Sequence, residues 1–172
     1  MTMPQTLTDD KPTTSLARVE AALAQAGLDL AIKRFPEGTR TAADAAAAVG
    51  CMVGQIAKSI IFRAAPSDRV VLVLTSGANR VDPAKVATGL ADQLAGDTLT
   101  RADADFVRAK TGFAIGGVAP VGHLTPPLVA MDISLQSFDV IWAAAGTADT
   151  VFALTPEQLI SLTSPRLMDV AA

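Results

Sequence analysis

Cysteine and histidine occur once each in this chain of 172 residues, as Cys51 and His123, and tyrosine does not occur at all. A single cysteine excludes an internal disulfide and any multi-cysteine zinc site, and in such a setting it reads as a small core residue. One histidine with no second His or Cys ligand leaves carboxylates alone to hold a metal, and no Asp or Glu cluster has suitable spacing. There is no GxSxG elbow for a serine nucleophile, and neither GxGxxG nor GxxxxGK(S/T) occurs to cradle a nucleotide phosphate. No apolar run reaches the roughly 18 residues that span a bilayer. The N-terminus MTMPQTLTDDKPTT places acidic residues and prolines where a signal peptide would be basic and then apolar, so a cytoplasmic location is expected. An excess of basic charge is missing too: the net charge is −3. That argues against a broad nucleic-acid-coating surface, and no basic helix-turn-helix pattern supports a DNA binder, yet a local basic contact with one end of an RNA stays open.

Half of the residues are hydrophobic but only 4% are aromatic. The core must therefore come from Ala, Val, Leu and Ile, which suits closely packed helices on a sheet. The length fits one domain. Residues 1–14 lack periodicity and read as a flexible tail, leaving 15–172 as the folded unit. Ser15 reads as the N-cap of a helix carrying Leu16, Val19, Leu23 and Ala26 up to Gly27. Leu30 to Phe35 reads as a strand, PEGT as a turn, and Thr41 with Asp44 as a capping box for a second helix ending at Gly50. Gly54 to Ala57 then makes a helical turn and Ser59 to Ala64 a strand, so Lys58 is expected where the turn hands over to the strand. Val70 to Ser76 is apolar on both faces, as a central strand should be. Asp82 and Pro83 open a helix running to Gly89, a short strand lies near Thr98, and Thr100 with Asp103 has capping-box spacing for a helix ending at Gly112. Leu128 to Asp132 and Asp139 to Ala145 are strands, with Thr150 to Ala153 a hairpin partner for the second. Thr155, Pro156 and Gln158 cap a last helix through Leu162, and the tail after Pro165 adds an edge strand. The pattern predicts an α/β (α+β) domain with a central mixed, mostly antiparallel sheet flanked by helices.

Three stretches carry the chemistry. In TGFAIGGVAPVGH (111–123), Gly116 and Gly117 permit positive φ or a close approach of main chain to ligand, and Pro120 stiffens the far end. Such a loop can present N–H donors in a set shape, with His123 just behind it; the same residues also suit a plain glycine-rich turn. Lys58, among Ile56, Ala57, Ile60 and Ile61, either snorkels outward or is held at a pocket for anionic or carbonyl groups. Asn79 and Arg80 lie in a loop at a strand's exit, where function concentrates, unless Asn79 merely supplies a positive-φ turn.

GQIAKSIIF, SGANRVD and TGFAIGGVAPVGH, in this order and at these separations, resemble the YbaK/prolyl-tRNA synthetase-associated editing domains, from about Ser15 to Leu162. The resemblance implies a deacylase acting in trans that hydrolyses the ester of mischarged tRNA, chiefly tRNA for proline carrying alanine, cysteine, serine or a similar small residue. It places the catalytic lysine on Lys58 and the GxxxP substrate loop on Gly116, Gly117, Val118, Ala119 and Pro120. Asn79, Arg80 and Asp82 match the polar loop near the pocket, and His123 matches a position that is often polar. The resemblance implies no metal and no organic cofactor. The expected partners are the acceptor end of tRNA, with Arg80, Lys85 and Lys110 as candidate contributors, and, as a candidate, prolyl-tRNA synthetase; a monomer or homodimer is expected. The alternative is a non-catalytic module that binds aminoacyl-tRNA or a synthetase through the same pocket.

Overall fold

The computed structural model describes residues 14–35 and 41–172. The PEGT turn and the tail up to residue 13 lie outside the described residues. Eight strands form one sheet in the order β1-β7-β6-β2-β3-β5-β8, with β4 pairing with β2 beside β6. They are β1 Ile32–Arg34, β2 Ile56–Ala65, β3 Arg69–Ser76, β4 Thr98–Arg101, β5 Leu128–Asp132, β6 Ile141–Ala144, β7 Thr150–Leu154 and β8 Arg166–Met168. The helices are α1 Ser15–Gln25, α2 Ala42–Val49, α3 Pro83–Gly89, α4 Ala91–Leu94, α5 Ala104–Thr111 and α6 Pro156–Thr163. Four strand pairs are antiparallel and three parallel, so the sheet is mixed with a small antiparallel majority.

β3 shows how the two faces are built. Val70, Leu72 and Leu74 join the core under α1, α5 and α6, whereas Val71 and Val73 join the core under α3 and α4. Alternation along a strand thus feeds two apolar layers, which is why VVLVL carries no polar residue. α2 packs separately, its Ala45 and Ala46 lying against Ile56 of β2 and Trp142 of β6.

Local signals hold at most element ends. Thr41 and Asp44 form the reciprocal capping box, and so do Thr155 and Gln158. Asp82 caps α3 with Pro83 in its first turn. Two caps are shifted. α1 is capped by Thr14, whose hydroxyl accepts from Ala17 N, so Ser15 is the first helical residue. α5 is capped by Asp103, which accepts from Phe106 N at 2.8 Å, while Thr100 belongs to β4 and donates to the Arg63 carbonyl. There the strand register won over the capping-box spacing. The short helical turn is Val53–Gln55, and β2 begins at Ile56. Lys58 is accordingly the third residue of a strand, not a residue at the turn-to-strand junction.

Candidate functional site

Lys58 and Gly116, 58 positions apart in sequence, line one cavity of about 290 Å³. One wall is the β2 segment Ala57 to Ile60. A second is made by Ala42 and Ala45 of α2, and a third by Ala144, Thr147, Ala148 and Val151 around the β6–β7 turn. Residues Ile115, Gly116 and Val118 close the remaining side. Alanines on the facing elements leave the space that larger side chains would fill.

The Lys58 ammonium is half-buried and donates to the Asn79 carbonyl at 3.1 Å. An ammonium has three donors, so two are left for other acceptors. Burial first, and then the Arg80 guanidinium, hold its pKa below the ordinary lysine value. Asn79 is fixed in turn: its side-chain amide donates to Asp132 Oδ2 at 3.0 Å and to Ser134 Oγ at 3.3 Å. Asn79 has no positive φ, so its place in this loop comes from the hydrogen bonds of its side chain. Asp132 is fully buried and also accepts from Ser76 N at 3.1 Å, Thr75 Oγ1 at 3.3 Å and Ser134 N at 2.9 Å. Burial alone would raise its carboxyl; the hydrogen bonds from Asn79, Ser134 and Ser76 outweigh that and hold it below the usual carboxylate range. A buried carboxylate thus sets Asn79, and the Asn79 carbonyl sets Lys58. Arg80 is exposed; its carbonyl accepts from Ala172 N at 2.8 Å, and its guanidinium has no hydrogen bond or ion pair among the described residues. Lys85 is committed to Asp169 at 2.8 Å, and Lys110 lies on α5, an element that lends no residue to the Lys58 cavity.

The loop from Gly112 to His123 is held at both ends by one side chain. Arg18 of α1 donates through Nη2 to the Gly112 carbonyl at 2.7 Å and through Nε to the Gly122 carbonyl at 3.1 Å, and its guanidinium lies 5.2 Å from the centre of the Phe113 ring. Gly116 has φ +93° and open space where a Cβ would stand, whereas a Cβ on Gly117 would come within 2.8 Å of the Thr147 main chain. The Gly117 N–H is used by the turn, donating to the Ala114 carbonyl at 3.0 Å. Ala119 and Pro120 are buried and do not line the Lys58 cavity.

His123 is not brought to the Lys58 cavity either. It lines a separate open groove with Pro120, Gly122 and Pro126, its ring meets Phe113 edge-on at 5.1 Å, and its Nε2–H donates to the Ala119 carbonyl at 2.6 Å. That bond fixes the tautomer and leaves Nδ1 buried without a partner among the described residues. Burial first holds the imidazole below its ordinary pKa; the Ala119 carbonyl opposes the shift and Arg18 adds to it. His123 therefore props the loop from behind. Sequence reasoning missed Arg18, Ser59, Thr147 and Asp132, whose parts depend on contacts up to 104 positions apart with no local signature.

The fold and the cavity define a class: a mixed α/β domain in which a lysine of β2 and a glycine-rich loop enclose a small chamber. The chain belongs to the aminoacyl-tRNA editing domain family, whose model matches residues 36–162. A crystal structure of a protein proposed to be a trans-editing enzyme for prolyl tRNA synthetase is 42% identical, with a TM-score of 0.82 over 92% of this chain and 97% of that one. A scaffold protein used for presenting linear epitopes is 40% identical with a TM-score of 0.83, over 92% and 97%. The uncharacterized protein YwhH of Bacillus subtilis (strain 168) is 30% identical over 145 residues, which is 84% of this chain and 88% of that protein.

Proposed function

We propose that this protein is a deacylase acting in trans that hydrolyses the ester of mischarged tRNA, with tRNA for proline carrying alanine, cysteine, serine or a similar small residue as its substrate and the cytoplasm as its place of work. The observation that carries the reading is the shared chamber of Lys58 and Gly116. At about 290 Å³ it is at the small end of ligand sites, matched to a short acyl group with its ester. That a relative 42% identical over nearly the whole chain is proposed to be a trans-editing enzyme for prolyl tRNA synthetase supports the choice of tRNA.

An aminoacyl ester is already activated, so the reaction needs position and charge stabilisation, not a protein nucleophile. Water attacks the ester carbonyl, the new C–O bond forms, and the bond to the ribose oxygen breaks. The proton lost by the water ends on that oxygen, giving free amino acid and tRNA. In this scheme Lys58 donates to the carbonyl oxygen as it becomes an oxyanion, and Asn79 keeps the ammonium aimed. Main-chain N–H groups of Gly116 and Val118, which have no main-chain acceptor among the described residues, add donors at the wall. The Ala42, Ala45 and Ala148 side limits the size of the acyl group. Discrimination by one methylene is worth about 1 to 3 kcal/mol, so neighbouring small amino acids should differ in rate by about ten- to a hundredfold.

The test is a deacylation panel on tRNA for proline charged with alanine, cysteine, serine and proline. Acceleration for at least one small residue and none for proline is expected. Binding of the charged tRNA with no acceleration for any residue would replace the enzyme by a binding module.

A further inference from the structure

One stretch of the sheet lacks a neighbour. On the edge of β2 turned away from β3, β6 pairs with Ile56 and Ala57 and β4 with Phe62 to Ala65, leaving Lys58 to Ile61 with no strand opposite among the described residues. The Ile56 carbonyl points towards β3, where Gly77 N donates to it, and the Arg63 carbonyl points towards β4, where Thr100 Oγ1 donates to it. Main-chain groups alternate in direction along a strand, so the N–H and C=O of Ser59 both face the gap. The Ser59 Oγ is buried as well and has no partner among the described residues. An unpaired buried hydroxyl costs about 1 to 3 kcal/mol, and native proteins keep few of them.

The gap opens into a second and larger cavity of about 460 Å³. Ser59, Ile60, Ile115, Gly116 and Val118 line both chambers, so the two meet there. The larger one continues the plane of the sheet. Pro83 and Leu99 come from the α3 side of it and Val107 from the α5 side, which makes a slot with apolar walls. Arg101 stands at this cavity, exposed, its guanidinium with no ion pair or hydrogen bond among the described residues.

We propose that the larger cavity binds the terminal adenine of the charged tRNA, with its N1 accepting from the Ser59 N–H and its 6-amino group donating to the Ser59 carbonyl. The inference rests on the deacylase reading for the presence of a charged RNA end. Every tRNA ends in an unpaired adenosine, and single-stranded ends are recognised through apolar contact with the base faces and hydrogen bonds along the base edge. A strand edge with no partner offers an N–H and a C=O side by side, as it would to an added strand. The base then lies in the slot, the ribose crosses the junction beside Ser59 Oγ, and the ester reaches the Lys58 chamber. Arg101 meets the phosphate on the 5′ side of the nucleoside.

The test uses two stable probes measured by calorimetry: the alanyl amide of 3′-amino-3′-deoxyadenosine and the same compound without the 6-amino group. Loss of that group leaves the Ser59 carbonyl unpaired and should weaken binding about tenfold. The variant Thr100→Trp, which fills the slot from an exposed position, should weaken the adenine probe to a similar degree. Equal affinity for the two probes, or unaltered binding by folded Thr100→Trp, would overturn the proposal. The two readings fail separately. Preference for the 6-amino probe without ester hydrolysis would sink the deacylase and keep the adenine site. Hydrolysis that proceeds equally fast on tRNA ending in adenosine or in the nucleoside lacking the 6-amino group would sink the adenine site alone.

Discussion

Burial and the neighbouring Arg80 hold the Lys58 ammonium below its ordinary pKa, and this sets the sign of the pH dependence in the proposed reaction. If the charged form donates to the ester carbonyl, enzyme-dependent deacylation is present below the Lys58 pKa and lost as pH rises through it. Arg80→Ala removes a like charge that lowers this pKa, so the alkaline limb should move to higher pH once the uncatalysed rate is subtracted. A limb that stays in place would show that another group limits the rate. Lys58→Ala should abolish most turnover with an unchanged melting temperature, because among the described residues the half-buried ammonium has only the Asn79 carbonyl as its hydrogen-bond acceptor. Ser59→Ala makes the opposite kind of test. It deletes a buried hydroxyl with no partner among the described residues, and the fold should gain up to about 1 kcal/mol, read as a higher melting temperature. A clear loss of stability would mean that the hydroxyl is satisfied in solution. The sequence placed Lys58 among apolar neighbours; the contact that holds its ammonium comes from Asn79, which is fixed in turn by Asp132, 53 positions further on.

At the scale of elements, the loop from Gly112 to His123 is a stiff device, not a slack one. Arg18 spans its ends, His123 and Phe113 pack behind it, and Gly117 fits against the β6–β7 turn. Neighbouring glycines should therefore respond differently. Gly116→Ala meets no atom but must hold φ +93°, a strain of about 1 to 2 kcal/mol, and the loop keeps its place. Gly117→Val drives a side chain into the Thr147 main chain, so the loop moves off the β6–β7 turn and both stability and kcat/KM should fall, the latter about a hundredfold or more. Equal effects of the two substitutions on kcat/KM would refute this division of labour. GGVAP announces a shaped loop in one dimension, but which glycine faces space and which faces a wall depends on Thr147, thirty positions downstream.

For the molecule as a whole, His123 links the loop to global stability. Its folded pKa lies below the unfolded value near 6.5. The unfolded chain thus binds more protons in that window, and stability should fall as pH drops below about 6.5. His123→Ala should flatten this part of the stability curve in a pH series of chemical denaturations; an unaltered slope would assign it to other groups.

What the sequence determined alone is the set of local decisions: the caps at Thr41, Asp82 and Thr155, the central strand from its run of Val and Leu, the β6–β7 hairpin, and the resemblance carried by three motifs in order. These depend on neighbours within a few residues, where sterics and hydrogen bonding act through the chain itself. Only the tertiary structure decided that Lys58 is inside a strand, that His123 supports the loop from outside the chamber, and that β2 leaves a gap between β6 and β4. Strand pairing joins residues far apart in the chain, and its register is set by packing on both faces of the sheet, a quantity that no single stretch contains.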